Sequence, residues 1–242
     1  MRNIFKVFLL VTIILSSCAK KDVIKLPITT SSQKALEYYN RAMLSYEVGD
    51  DPEKRADLDS ALALDPDFAM ALEMYDSQDP LLKKEHREKA KSLFQKITKA
   101  EKKMIEIRES YRNGDMNKAL DNAKWLVNNH GDSYESHVWL GQVQSDRYEL
   151  DDAIKTLKTA IELNPDCYDA YSLLMGHHIA AGTQVMLPEE KRDIELGMKY
   201  GDELIRIRGD HGFPYHFKAN VYRQLGEFEK ARPLYEKSII KR

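Results

Sequence analysis

Neither charge dominates this chain: 37 Lys+Arg stand against 39 Asp+Glu, a formal net charge of −2. A chain so balanced has no basic stripe to hold a phosphate backbone, so nucleic acid is not among the expected partners. Glycine and proline are also scarce, at 11 and 8 residues, too few for a collagen-like or low-complexity chain. The longest apolar run, 7–15 (VFLLVTIIL), is too short to cross a bilayer as a helix. Gly-rich phosphate loops and a Gly-x-Ser-x-Gly elbow are missing, which removes the common nucleotide-dependent and serine-hydrolase chemistries. None of the 7 His has another His four positions away, the spacing that puts two ligands on one helical face. The adjacent pair His177-His178 points about 100° apart on a helix. One ring is expected to pack and the other to face solvent, with no metal. No enzyme, cofactor or metal site is therefore expected.

What the chain does have is helical periodicity that repeats. Segment 134–167 reads YESHVWLGQVQSDRYELDDAIKTLKTAIELNPDC, with apolar and small residues three, four and seven apart, the mark of a helix with one buried face. The pattern breaks once near 146–150 and resumes through Ala153, Leu157, Ala160 and Leu163 before Pro165. A pair of such short helices cannot bury both faces alone and needs copies of itself on either side.

Leu140-Gly141, Ala153-x-x-x-Leu157, Ala160 and Pro165 resemble the tetratricopeptide repeat, a 34-residue helix–turn–helix unit. The pattern recurs in register: Ala119 and Ala153 are 34 apart, and Ala231 lies 78 after Ala153, two repeats plus an insertion of ten. The implied fold is all-α, a right-handed solenoid of about five to six helical hairpins over residues 33–242. Units begin near Ala35, Ala69, Ala100, Tyr134, Tyr168 and Gly212. The first departs from the family at Lys54, where a small Ala is usual, so a looser pair is expected there. In the second, a helix from Phe68 stalls at 76–80 and a long charged helix is expected to run on to Lys103. The fifth carries an insertion at 182–193, with Pro188 suited to the first turn of the following helix. At the far end, the apolar face of Tyr235, Ile239 and Ile240 is expected to lack a cap.

The start of the chain carries a second resemblance. Arg2 and Lys6, the apolar run and Leu15-Ser16-Ser17-Cys18 are similar to the signal and lipobox of bacterial lipoproteins. That implies cleavage of 1–17 and a lipid on Cys18; the alternative is an ordinary secretory signal with Cys18 nearby by chance. Acylation would leave Cys167 without a disulfide partner, as a small, partly buried residue between repeats. Residues 18–32 then read as the lipidated Cys and a flexible tether of up to about 50 Å. Lys20-Lys21-Asp22 is similar to the Lys/Asp-rich surface-export stretch of lipoproteins in some gliding and gut bacteria. The implied location is the bacterial cell envelope, lipid-anchored, at the outer membrane on its periplasmic or exterior face.

In the tetratricopeptide family, positions 2, 5, 9 and 12 of each first helix line the concave groove. The resemblance carries these onto Leu36, Tyr39, Met43 and Tyr46; Glu101, Met104, Arg108 and Tyr111; Glu135, Val138, Gln142 and Ser145; and Phe213, His216, Asn220 and Arg223. Aromatic, Met and Arg side chains are the types enriched where proteins bind. The expected partner-binding residues are thus Tyr39, Met43, Tyr46, Met104, Arg108, Tyr111, Gln142, His216, Asn220 and Arg223, with the N-terminal half strongest. Chaperone-binding repeats clamp a terminal carboxylate with Lys and Asn at positions 5 and 9; Tyr39 and Met43 stand there instead, so no clamp is expected at that end. Acid pairs such as Asp151-Asp152 and Glu189-Glu190 are accounted for by helix starts, where the dipole favours negative charge. The implied function is a non-enzymatic scaffold for a protein or peptide; the alternative is a solute- or glycan-binding lipoprotein of a nutrient-uptake system.

Overall fold

The computed structural model describes residues 22–179 and 186–240; the signal, Cys18 and residues 182–185 of the insertion lie outside them. Among the described residues there are twelve α-helices and no strand. They are α1 Gln33–Glu47, α2 Asp51–Leu64, α3 Ala69–Met74, α4 Pro80–Ser92, α5 Lys99–Asn113, α6 Met116–Asn129, α7 Tyr134–Asp146, α8 Leu150–Leu163, α9 Tyr168–His178, α10 Ile194–Arg208, α11 Phe213–Gln224 and α12 Phe228–Ile240. Consecutive pairs pack as six hairpins, and α6–α7, α8–α9 and α10–α11 join one hairpin to the next. None of the described helices is long and apolar enough to cross a membrane.

Small residues set the spacing inside each hairpin. Ala42, Ala61, Ala119, Ala123, Ala153 and Ala160 are fully buried, which lets helix axes approach within about 8–10 Å. Gly141 makes the tightest approach in α7: a Cβ there would stand 2.6 Å from Leu157 Cδ2 of α8. Leu157 is itself fully buried, worth about 1.5–3 kcal/mol of transfer free energy. Turns within hairpins need a left-handed residue, supplied by Gly49, Gly114 and Gly226 at φ of 70°, 71° and 75°. In the fourth hairpin Tyr148 holds that conformation at φ 60°, 34 residues after Gly114. Its side chain is exposed.

Three local expectations differ from the structure. The charged segment 80–103 is two helices, because Thr98 starts a new one. Its hydroxyl accepts the Glu101 N–H at 3.2 Å, and the Glu101 carboxylate accepts the Thr98 N–H at 2.9 Å. Such a reciprocal cap satisfies two otherwise orphan donors. Pro188 precedes a single 3-10 turn, Glu189–Lys191, while α10 is started by Asp193, whose carboxylate accepts the Leu196 N–H at 2.9 Å. Lys54 does not loosen the first hairpin: its stem is buried, and its ammonium lies 3.1 Å from Asp51 and 5.2 Å from the Tyr46 ring.

The solenoid also touches its own beginning. Val48, just after α1, is buried in one cluster with Tyr168, Tyr171, Met175, Leu204 and Val221. Arg208 at the end of α10 donates to the Leu44 carbonyl at 3.1 Å and to Glu47 at 3.4 Å. The first and fifth hairpins are therefore in contact.

Replacing Gly141 by Ala forces Leu157 or the α7–α8 spacing to give. The expected cost is about 1–3 kcal/mol, reduced by up to about 1 kcal/mol of helix propensity. Urea unfolding followed by circular dichroism measures it, and an unchanged midpoint would show that the approach is not tight.

Candidate functional site

Acidic residues recur at one position of the repeat. Glu101, Glu135 and Asp169 are 34 apart, each in the first turn of its helix, α5, α7 and α9. The dipole favours a carboxylate there, yet these side chains also reach outside their helices. Residues 22–31, which form neither helix nor strand, run along the row. The Leu26 N–H donates to Glu135 Oε2 at 2.6 Å. Thr29 donates its N–H to Glu101 Oε1 at 2.8 Å and its hydroxyl to Oε2 at 2.6 Å. Thr30 donates its hydroxyl to Asp65 Oδ2 at 2.6 Å, and the Ser31 N–H donates to the same oxygen at 2.7 Å. Leu26 is 3% exposed and belongs to the main apolar cluster, with Ile28 packed against it. The stretch expected to be a flexible tether is, in its described part, seated on the repeats. Acceptors charged and held in place make strong partners for backbone N–H groups.

The model of the tetratricopeptide repeat matches residues 134–167 and 214–239. The chain carries tetratricopeptide repeats. No curated protein matches it in sequence. Similar solved structures include MamA from Desulfovibrio magneticus RS-1, 11% identical over 87% of this chain and 96% of that one, TM-score 0.47. TTC0263, a thermophilic TPR protein of Thermus thermophilus, is 15% identical over 86% and 91%, TM-score 0.44. YrrB, a TPR protein with an unusual peptide-binding site, is 22% identical over 76% and 91%, TM-score 0.43.

Of the expected partner-binding residues on these repeats, Tyr39 and Met104 are 6% and 4% exposed, core residues in the same cluster as Leu26. Tyr39 packs on Phe68 with ring centroids 5.0 Å apart. They are not open to a partner as the molecule stands, because the extended segment and neighbouring repeats fill the space. Met43 is half-buried against that cluster. Tyr46 is exposed but turned to Lys54 of its own hairpin. Arg108 is held by Glu73, which also accepts from Arg112 at 2.6 Å; a buried carboxylate with two guanidiniums costs dearly if either is lost. Tyr111 and Gln142 meet on Asp146 Oδ2, at 2.6 and 2.8 Å. His216, Asn220 and Arg223 gather around Tyr235 of α12, with His216 and Arg223 exposed and Asn220 half-buried. The Tyr235 hydroxyl donates to Asn220 at 2.7 Å and accepts from Arg223 at 3.2 Å, and the His216 ring stands 5.6 Å from the tyrosine ring. His177 and His178 are both buried, 1% and 6% exposed, against the expectation that one is solvated. Residue 187 folds back: the Leu187 N–H donates to the His177 carbonyl at 2.9 Å, and His178 Nδ1 accepts the Asp193 N–H at 3.2 Å. Burial, then the neighbouring His178, pushes His177 down to about 4.

Asp65, Glu47 and Asp169 are the site residues missing from the sequence-based expectations; the recurrence of acids at 101, 135 and 169 was the signal for Asp169. Near the end of α1, Glu47 accepts from Arg208, and Glu47 and Glu135 each feel the charges of Asp169 and Lys25. Burial, then the charge of Asp169, pushes Glu47 up to about 8; Arg208 and Lys25 oppose the rise. Burial alone pushes Asp169 up to about 6; burial first, with the charge of Asp169 adding, raises Glu135 against the Leu26 N–H and Lys25. Asp65 is different: burial works against its charge, but donors from Thr30, Ser31 and Asp67 outweigh it and hold the carboxyl below its usual range. Among the described residues no three His, Cys, Asp or Glu are grouped to hold a metal ion.

A raised carboxyl contributes stability that is fully present below its unfolded value of 4.5 and lost as pH rises through about 8. Glu47→Gln should remove that loss. Thermal unfolding should then show the variant more stable than the parent at pH 8, by a few degrees at about 2–4 °C per kcal/mol, and equal to it near pH 4.5. A difference independent of pH would show that Glu47 stays charged.

Proposed function

We propose that the protein is a non-enzymatic scaffold of the bacterial cell envelope, fixed to a membrane through a lipid on Cys18, that holds a protein or peptide partner in the groove of its repeats. The observation that carries this reading is the carboxylate row Asp65, Glu101 and Glu135, whose oxygens accept hydrogen bonds from the main chain of an extended segment. Solvating a peptide backbone is a binding task, and it supplies neither a nucleophile nor a proton relay. Cys167 fits this: its thiol is 2% exposed and burial raises it well above its usual range, so little reactive thiolate forms. The alternative solute- or glycan-binding role asks for a pocket. The described part of the insertion, 186–193, helps line a shallow depression of about 260 Å³ with Tyr148, Leu150 and Asp151, below the usual 300–1,000 Å³ of small-molecule sites. A larger one of about 490 Å³ is lined by Thr29, Thr30 and Ser31 of the extended segment itself with Asp65 and Lys96.

Two measurements test the parts separately. Cys18→Ser should move the protein from the membrane to the soluble fraction, since stable attachment relies on acyl chains; unchanged retention would reject the lipid as the anchor. For the groove, photo-crosslinked capture of a partner should fall at least tenfold in Glu135→Lys, with helicity retained. Specific binding on a glycan array, with no protein captured, would favour the solute-binding role instead.

A further inference from the structure

The extended segment runs against the order of the repeats. Leu26 meets the fourth, Thr29 the third, and Ser31 reaches Asp65, at the end of the first hairpin's second helix. An extended chain rises about 3.3 Å per residue, so the three residues from Leu26 to Thr29 advance about 10 Å. Neighbouring packed helices lie about 8–10 Å apart. Over that advance the chain passes from one repeat to the next, and one backbone N–H falls on each of Glu135 and Glu101. Main-chain bonds of this kind accept many sequences, and side chains supply the selection. Leu26 is buried, Ile28 is half-buried, and Thr29 and Thr30 give their hydroxyls to the carboxylates, while Pro27, which has no N–H to place, is exposed. At the other end Lys25 lies near the Glu47 and Glu135 carboxylates and favours their charged forms. Asp169, the next acid in the row, is one repeat beyond Glu135, and Val23, three residues before Leu26, remains 44% exposed.

Hydrogen bonds to Glu135, Glu101 and Asp65 hold the segment, and little apolar burial adds to them. Only Leu26 is buried, Val23 and Ile24 are exposed, and no helix or sheet pairing secures it. Segments with few buried apolar contacts open at low free energy.

We infer that the groove takes an extended peptide of the pattern basic–apolar–Pro–apolar–hydroxyl, and that residues 25–31 occupy it in cis, so that a partner segment of this chemistry enters by displacing them. This rests on the reading of the chain as a partner-binding scaffold. Glu47 and Glu135, near which Lys25 stands, select the basic end, the Leu26 site the first apolar residue, and Glu101 and Asp65 the hydroxyls.

The test uses the full chain and a fluorescent synthetic peptide of residues 22–32 (DVIKLPITTSS). Leu26→Asp with Ile28→Asp sets charges beside Glu135 and Glu101 and should free the groove. That variant should bind the peptide at least tenfold more tightly than the parent, and adding Glu135→Lys should erase the gain. A variant that keeps its helicity but binds no better than the parent overturns the inference. A second measurement needs no variant: saturating free peptide should speed hydrogen exchange at the Leu26, Thr29 and Ser31 amides of the parent and leave α5 and α7 unchanged. Unaltered exchange at those amides also overturns it. Capture of a partner without peptide exchange would sink this inference and leave the scaffold reading intact; peptide exchange without any partner capture would do the reverse.

Discussion

A helical hairpin of about thirty residues cannot hide both of its apolar faces, and the architecture follows from that constraint. Each hairpin must find a neighbour, the neighbours must come close, and closeness requires small residues where helices cross. Buried Ala42 on α1, Ala61 on α2, Ala119 and Ala123 on α6, and Gly141 against Leu157 are where this is settled. Register matters because the same crossing recurs every 34 residues. Any residue type placed once per unit then becomes a row along the surface, and the acids at 101, 135 and 169 are such a row.

Those acids serve two ends of one electrostatic argument. Seen from inside its helix, Glu101 completes a cap with Thr98; seen from outside, it accepts both donors of Thr29. It has no exposed surface, and a buried carboxylate is tolerable only when its lone pairs are filled. The segment before α1 thus completes the solvation of groups that the repeats bury. Without an occupant of some kind, Glu101 and Asp65 would have to take water in its place.

Local rules made the hairpins legible and left the groove's contents hidden. The 34-residue spacing of Ala119 and Ala153 placed the third and fourth hairpins, and Gly114 marked the middle of the third. The break before α5 was legible too, in Thr98-x-x-Glu101, but the run of charged residues around it suggested one continuous helix. The seating of residues 25–31 had no local signal. Leu26 finds its acceptor 109 residues away and Thr29 finds its own 72 away, and a polar stretch with one Pro looks the same whether or not such acceptors await it. Tyr39 and Met104 show the same limit: their helical positions follow from the repeat, but their burial depends on what else lies there. The pair His177-His178 misled for the same reason, since the fold-back at Leu187 lies outside its own helix.

The contact between Arg208 and the end of α1 changes what kind of object the solenoid is. An open stack of repeats stretches and twists like a coil spring, each joint yielding independently of those two places away. Tying the fifth hairpin to the first turns the spring into a clasp. Widening the inner channel now requires breaking that tie as well as bending the joints. The Arg208 guanidinium with its two acceptors and Val48 in its apolar cluster both close that clasp, so drawing the first hairpin from the fifth must undo polar and apolar contacts together.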